Sequence, residues 1–425
     1  MKIAVWHNLP SGGGKRALYH HVKGLVERDH TLESWCPSSA DQTFLPLNKL
    51  IKENIIPLDQ PTKSRSNFIS SFFSSYGKII DTINIMDKHC QQCADAINRG
   101  GFDVLFANAC MFFRTSAIAR YVKIPTVIYL GEPYRWLYEA LPRLPWLALP
   151  PHSKTWWVSP RYLRFFVHNL IEIQGFRVQA REELRNAQAF DLILVNSLFS
   201  RESIQRAYGL DSKVCYLGVD SNLFKPLGLY RENMVVGLGS IYNGKGLERA
   251  IQAISTIDKD SRPSLVWIGN FSDSNYRQKV EELALSLQVS FALKVGISDQ
   301  ELIILLNQAS AMIYTSILEP FGLAPLEANA CETPAVAIAE GGVRESIKDG
   351  INGFLVLDND PSAIGKAISK ILNDREMSSQ MGKRARSYVL ENWSLDCAIY
   401  RLEECLLNAI EVAKGKKSAL SLAGS

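Results

Sequence analysis

The sequence predicts an α/β protein made of two similar halves, each a parallel sheet flanked by helices. Short apolar runs alternate with helical stretches along the chain, the pattern of strand–helix–strand units and hence of parallel pairing. Each half opens in the same way: a strand runs into a glycine loop, Lys2–His7 into Ser11–Gly14 and Met234–Leu238 into Gly239–Gly246. The 425 residues correspond to roughly two or three domains of ~150 residues, and 47% hydrophobic with 21% charged residues is the balance of a globular chain with ample core.

Several function classes are excluded or disfavoured at this level. A net charge of +4 is too small to argue for nucleic acid, though it suits anionic substrates or an anionic membrane. Eight cysteines scattered over a long chain, with a first strand starting at Met1 and no signal-like segment ahead of it, suggest a reduced, cytoplasmic setting. No apolar run reaches the ~18 residues of a membrane span, so the expectation is a soluble protein or one peripheral at the inner membrane face.

In chain order, Gly12–Ala17 formally matches the G-x-G-x-x-A dinucleotide fingerprint before a helix from about Lys15 to Glu27. That keeps an NAD-type oxidoreductase open. Its acidic partner would be Glu33, which sits mid-strand in Leu32–Cys36 instead of at a strand end. Pro61–Tyr76 reads as a surface loop and helix with Phe68, Phe72 and Phe73 at helical spacing. His89, Cys90 and Cys93 could form half a zinc site, but no second pair with ligand spacing follows, and a helix from Ile83 to Ile97 makes them ordinary thiols. Phe102–Ala107 and Thr126–Leu130 are further strands. Pro133–Leu170 then concentrates Trp136, Trp146, Trp156 and Trp157 with Arg135, Arg143, Lys154, Arg161 and Arg164, which fits a membrane interface or hydrophobic acceptor as well as an insertion packed on its own domain.

A helix over Arg177–Arg185, a buried strand Asp191–Ser197, a helix to Tyr208 and a strand Lys213–Leu217 complete the first half. In the second, Gly239–Gly246 is one residue short of a Walker A loop, with Gly246 where Ser or Thr would bind magnesium. Lys245 still suits a diphosphate. Leu265–Gly269 is the next strand. Helices are expected at about Pro361–Leu372 and Glu376–Leu390, then from Leu395 to about Ala413 with Ala398, Ile399, Leu402 and Leu406 on one face, before a polar frayed tail.

The most informative stretch is Ala311–Val356. Ala311–Ser316 reads as a buried strand, Glu319 falls in a turn before Pro320, Gly322 permits close backbone approach, and Pro325 suits the first turn of a helix running to about Glu332. A second strand, Pro334–Ala339, follows. Strand, glycine turn and helix start present free N–H groups and a positive dipole end to an anion, with Glu319 and Glu327 as acceptors on either side. An anion flanked by polyols describes a nucleoside diphosphate sugar. Two surface glutamates eight residues apart would look the same.

Glu319–Glu327 together with Thr333–Ala337, Gly341–Glu345 and Asp349–Val356 closely resemble the donor half of the retaining family 4 glycosyltransferases. The resemblance implies the GT-B fold: two Rossmann-like, doubly wound domains facing a cleft, with Gly218–Pro226 as hinge. It places an N-terminal acceptor-side domain at 1–225, a nucleotide-sugar domain at 226–390, and at 391–425 a helix crossing back to the first domain. It implies transfer of a hexose-like sugar to an acceptor hydroxyl in polysaccharide or glycolipid synthesis. Glu319 takes the catalytic, sugar-contacting role and Glu327 the ribose. Gly13, Gly14, Lys245 and the backbone of Phe321, Gly322 and Leu323 bind the diphosphate and sugar. The partners are then a nucleoside diphosphate sugar and a saccharide or lipid-linked acceptor, with a peripheral membrane contact and no nucleic acid. No cofactor is implied, and no Asp-x-Asp metal motif occurs. Two positions depart from the family: Gly131 stands where many members carry histidine, and Ser240 where arginine is common. A catalytically weak homologue acting as a nucleotide-sugar-binding or scaffold protein therefore stays open.

Overall fold

The computed structural model describes residues 1–59, 74–138, 160–357 and 360–423. They divide into two compact units. The first comprises Met1–Asn196, Ser200–Cys215 and Leu402–Ser425; the second, Ser197–Phe199 and Tyr216–Arg401.

The first unit is built on seven strands: β1 (Lys2–Asn8), β2 (Thr31–Pro37), β3 (Lys52–Ile56), β4 (Val104–Cys110), β5 (Thr126–Tyr129), β6 (Leu192–Val195) and β7 (Lys213–Val214). All neighbours are parallel, in the order β3-β2-β1-β4-β5-β6-β7. The second unit repeats the plan with β8 (Glu232–Leu238), β9 (Ser264–Gly269), β10 (Phe291–Val295), β11 (Ala309–Tyr314), β12 (Ala335–Ile338) and β13 (Gly353–Val356), ordered β10-β9-β8-β11-β12-β13. Both are doubly wound sheets whose order reverses beside the first strand, at β1/β4 and β8/β11. Fully buried centres such as Ile3–Trp6, Val104–Ala107 and Ala311–Ile313 explain why these strands read as continuous apolar runs.

Differences from the sequence expectation have local causes. β3 and β10 were not expected; both are edge strands, half covered, and KENII and FALKV carry little alternation. The helix expected over Arg177–Arg185 is the end of a 29-residue helix, Pro160–Gln188. It packs beside helix Ser74–Arg99, where a Cβ on Gly175 would lie 2.7 Å from the tip of Ile79, Cδ1. The strand expected over Lys213–Leu217 is only Lys213–Val214. The last helix does not fray after Ala413 but runs from Leu395 to Ala423, because the tail holds good helix formers and no proline. Phe68, Phe72, Phe73, Trp146, Trp156 and Trp157 lie outside the described residues.

The helix carrying His89, Cys90 and Cys93 packs on the first sheet with Trp6, Trp35, Leu105 and Ile128. His89 Nε2 accepts from Trp6 Nε1 at 3.4 Å, and burial pushes both thiols well up, so they are core groups and not nucleophiles.

Candidate active site

The site forms at the carboxyl ends of β8 and β11, the neighbouring strands where the second sheet reverses its order. Ligands of doubly wound sheets bind at such switch points. β8 leads through Gly239–Gly246 into helix Leu247–Ser255, and β11 leads through Thr315–Gly322 into helix Leu323–Ala330. The two turns are locked together. Thr315 Oγ1 donates to Gly246 O at 2.8 Å, and Arg249 Nη1 donates to Thr315 O at 2.8 Å. Gly246 lies at φ +75°, and a Cβ there would stand 2.2 Å from Thr315 O. Only glycine fits that contact, which is why the Walker A pattern stops at Gly246.

The lock brings two expected site residues together. Lys245 Nζ donates to Glu319 Oε2 at 2.6 Å, and Ser316 Oγ donates to the same oxygen at 2.9 Å. Both side chains of the ion pair keep about a fifth of their surface exposed, 22% for Lys245 and 20% for Glu319. The turn bearing Glu319 is strained, with the preceding Leu318 at φ +50°, a left-handed conformation that costs about 1–2 kcal/mol for a bulky residue. It is held from outside. Gly342 N donates to Glu319 O at 2.8 Å, and Cβ atoms at Gly341 and Gly342 would approach Glu319 O to 2.4 Å and Pro320 O to 2.1 Å.

Phe321 anchors the turn from beneath. Its ring is 2% exposed and packs on Trp393 (5.4 Å between centroids) and Tyr216 (6.2 Å). Its side chain is therefore a core group. Gly322 caps the helix at φ +86°, which turns the first N–H groups of Leu323–Ala330 toward the turn. Glu327, on the second turn, is buried at 9% exposure. The far end of this helix closes with a Schellman pair, Thr333 N to Ala328 O and Glu332 N to Asn329 O, although Glu332 must adopt φ +59°. Buried Asn352 bonds Asn329 Oδ1 at 2.8 Å and Ser346 O at 3.0 Å, so the Asp349–Val356 block serves to fix that helix.

Gly13 and Gly14 belong to the first unit. They lie in the first turn of helix Gly13–Val26, after Gly12 at φ +137°. Among the described residues, nothing beyond its chain neighbours and its own helix backbone lies within 4 Å of a Cβ placed on Gly13, so packing does not demand glycine there. Glu33 lies mid-strand and pairs with Lys52 at 3.1 Å, which leaves the dinucleotide reading without its strand-end carboxylate. At Gly131 a side chain would press on Asn196 Nδ2 at 3.3 Å, while Glu132 is paired with Arg114 and Arg135. Sequence reasoning missed Ser316, Thr315 and Arg249. The only available signal for Arg249 was its spacing of four from Lys245, one helical turn on. Burial lowers its guanidinium from the ordinary value without discharging it.

Two doubly wound parallel-sheet units with this switch-point site define the class: the fold is GT-B. Residues 220–388, most of the second unit, match the family model described as Glycosyl transferases group 1. Among known proteins, the chain is 24% identical over 264 residues to the capsular polysaccharide biosynthesis glycosyltransferase CapM of Staphylococcus aureus, covering 57% of this chain and 69% of that protein. It is 30% identical over 193 residues to a D-inositol 3-phosphate glycosyltransferase of Frankia alni, covering 40% of this chain and 46% of that one. The chain thus spans about two thirds of the first relative and less than half of the second. Anabaena HepE, solved in complex with UDP and glucose, superposes with a TM-score of 0.67 over 96% of this chain and all of its own, at 16% identity. Together these findings support a GT-B glycosyltransferase.

Proposed function

We propose that the protein is a retaining, family 4 type glycosyltransferase that moves a hexose-like sugar from a nucleoside diphosphate to an acceptor hydroxyl in polysaccharide or glycolipid synthesis. The observation that carries this reading is the Lys245–Glu319 contact of 2.6 Å at the mouth of helix Leu323–Ala330. It sets a phosphate-binding cation, a helix N-terminus and a hydroxyl-binding carboxylate side by side at the ends of two neighbouring strands. Without donor, Lys245 and Glu319 neutralise each other. With donor, each exchanges its partner: Lys245 meets the diphosphate and Glu319 the sugar hydroxyls. As the anomeric C–O bond breaks, its electron pair goes to the diphosphate, where Lys245, Arg249 and the helix N–H groups stabilise the charge. The acceptor oxygen forms the new bond, and its proton leaves with the diphosphate. Glu319 is tied down by Ser316 and acts by position and charge, not as a covalent nucleophile. Glu327 is assigned to the ribose. Gly13 and Gly14 are assigned to the same ligand class through their backbone N–H groups.

CapM's description as a capsular polysaccharide biosynthesis glycosyltransferase supports a role in polysaccharide synthesis. Leu163, Phe165 and Leu170, each at least half exposed at the start of helix Pro160–Gln188, support a peripheral membrane or lipid-linked acceptor contact. No helix among the described residues is long and apolar enough to cross a membrane. A thermal-shift panel of nucleotide sugars, followed by donor hydrolysis on the best binder, tests the proposal. One sugar nucleotide should raise Tm in proportion to RT ln(1 + [L]/Kd) and be consumed. Stabilisation without turnover would favour a binding or scaffold role, and no stabilisation by any nucleotide sugar would remove the reading.

A further inference from the structure

The first unit carries a cluster that the transfer reaction does not use. His7 on β1 lies one residue beyond the Trp6–Trp35 pair, which sets it beside Cys36 on β2. Glu53 on β3 pairs with Ser34, two residues before Cys36, so all three side chains project from one face of the sheet. All are buried: His7 and Cys36 at 0% exposure, and the Glu53 side chain at 1%. His7 Nε2 and Glu53 Oε1 are 3.2 Å apart, Cys36 Sγ and Glu53 Oε1 3.7 Å, and the three ligand atoms lie within 4.8 Å of one another.

The His7–Glu53 and Cys36–Glu53 spacings fit the edges of a small coordination tetrahedron. Bonds of ~2.0–2.2 Å to nitrogen and oxygen and ~2.3 Å to sulfur give N–O and S–O edges of roughly 3.3–3.7 Å. A second observation points the same way. His7 Nδ1, Ser34 Oγ, Gln42 Oε1, Glu53 Oε2 and Lys15 Nζ are all buried here without a hydrogen-bond partner. Lys15, itself 0% exposed on helix Gly13–Val26, is close enough to act electrostatically on His7, Cys36 and Glu53. So many unmet polar atoms in one buried knot call for a further occupant.

We propose that His7 Nε2, Cys36 Sγ and a carboxylate oxygen of Glu53 bind one zinc-class divalent ion per chain. The mixed N, S, O set suits zinc among available ions. The site is structural and ties the carboxyl ends of β1 and β2 to the start of β3; it is independent of the transfer reading. Binding displaces the Cys36 thiol proton to solvent, and the His7 proton shifts to Nδ1, so thiolate and carboxylate balance the ion's charge.

Cobalt(II) added to chelator-treated full-length protein tests this. One equivalent should produce a thiolate-to-cobalt charge-transfer band that one equivalent of zinc removes, with a rise in Tm. The band should vanish in Cys36→Ala and His7→Ala and persist in Cys397→Ala. Lys15→Met should tighten zinc, because a neighbouring positive charge is gone. A wild-type protein with no such band overturns the proposal whether or not the variants fold. So does a band that survives Cys36→Ala, or one lost in Lys15→Met, which would make Lys15 a ligand.

Discussion

Replacing Glu319 by glutamine removes one charge from the Lys245–Glu319 pair while keeping its shape. In the free protein Lys245 is already satisfied by the carboxylate at 2.6 Å, so a diphosphate must first compete for it. With both side chains about one-fifth exposed, 22% and 20%, the pair falls toward the upper end of partly solvated ion pairs, about 0.2–1 kcal/mol. Removing it takes away one competitor of phosphate for Lys245. Glu319→Gln should therefore bind free nucleoside diphosphate more tightly, by about 1.4- to 5-fold, which is the same energy expressed as affinity. Turnover should fall in the same variant, by about 10²-fold or more, as when one preorganised electrostatic contact is lost. Glu327→Gln should instead weaken free nucleotide and sugar nucleotide alike, by roughly 1–3 kcal/mol. Calorimetry with the free nucleoside diphosphate, run beside steady-state kinetics, measures both. If Glu319→Gln weakens the free nucleotide as Glu327→Gln does, Glu319 contacts the nucleotide and the division of roles is wrong.

Gly246→Ser completes the Walker A pattern on paper, yet its Cβ would stand 2.2 Å from Thr315 O; we expect lost nucleotide-sugar binding and no gain of NTP hydrolysis, and a variant with intact transfer would contradict the lock. Burial pushes His89 down to about 4 and, with His20 beside it, His21 down to about 3. Their unfolded forms take up protons below about 6.5 while the folded forms do not, so stability is full above that pH and falls by about 1.4 kcal/mol per unit for each residue as pH drops toward those values. In urea denaturation between pH 6 and 5, His89→Gln should flatten the slope by about that amount; an unchanged slope would mean His89 is charged in the fold. Glu332→Gly relieves the left-handed helix end at φ +59° and should stabilise by roughly 1 kcal/mol at unchanged m value, whereas a loss would assign the side chain a contact worth more than the strain.

The Thr315–Gly322 turn was legible because each of its steps is punctuated locally. A buried run, a residue before proline, a glycine and a first-turn proline located strand, turn and helix, and the helix begins at Leu323 where Pro325 had marked its first turn. The contact between Lys245 and Glu319 was not legible by the same means. They are 74 residues apart in sequence and meet only because β8 and β11 are neighbours at the switch point. Gly341 and Gly342 could be read as a motif, but what they touch depends on the loop after β12 returning to the β11 turn. The His7–Cys36–Glu53 cluster was invisible for a related reason, since it needs the register of three strands and β3 was not recognised at all. Where the chain's own periodicity is weak, at half-covered edge strands, sequence alone had nothing to fix.

The contact of Gly341 and Gly342 with Glu319 and Pro320 has a consequence for how such a site can diversify. Two loops that share backbone-to-backbone contacts at glycine cannot be exchanged one at a time. A Ser316–Gly322 loop transplanted from another enzyme would arrive without the surface it was shaped against, and one inserted residue in either partner would lift Glu319 away from Lys245. New donor preferences are therefore reached most directly by changing side chains around a fixed pair of loops. Engineers grafting specificity into this chain should move the Thr315–Gly322 and Glu340–Glu345 segments together.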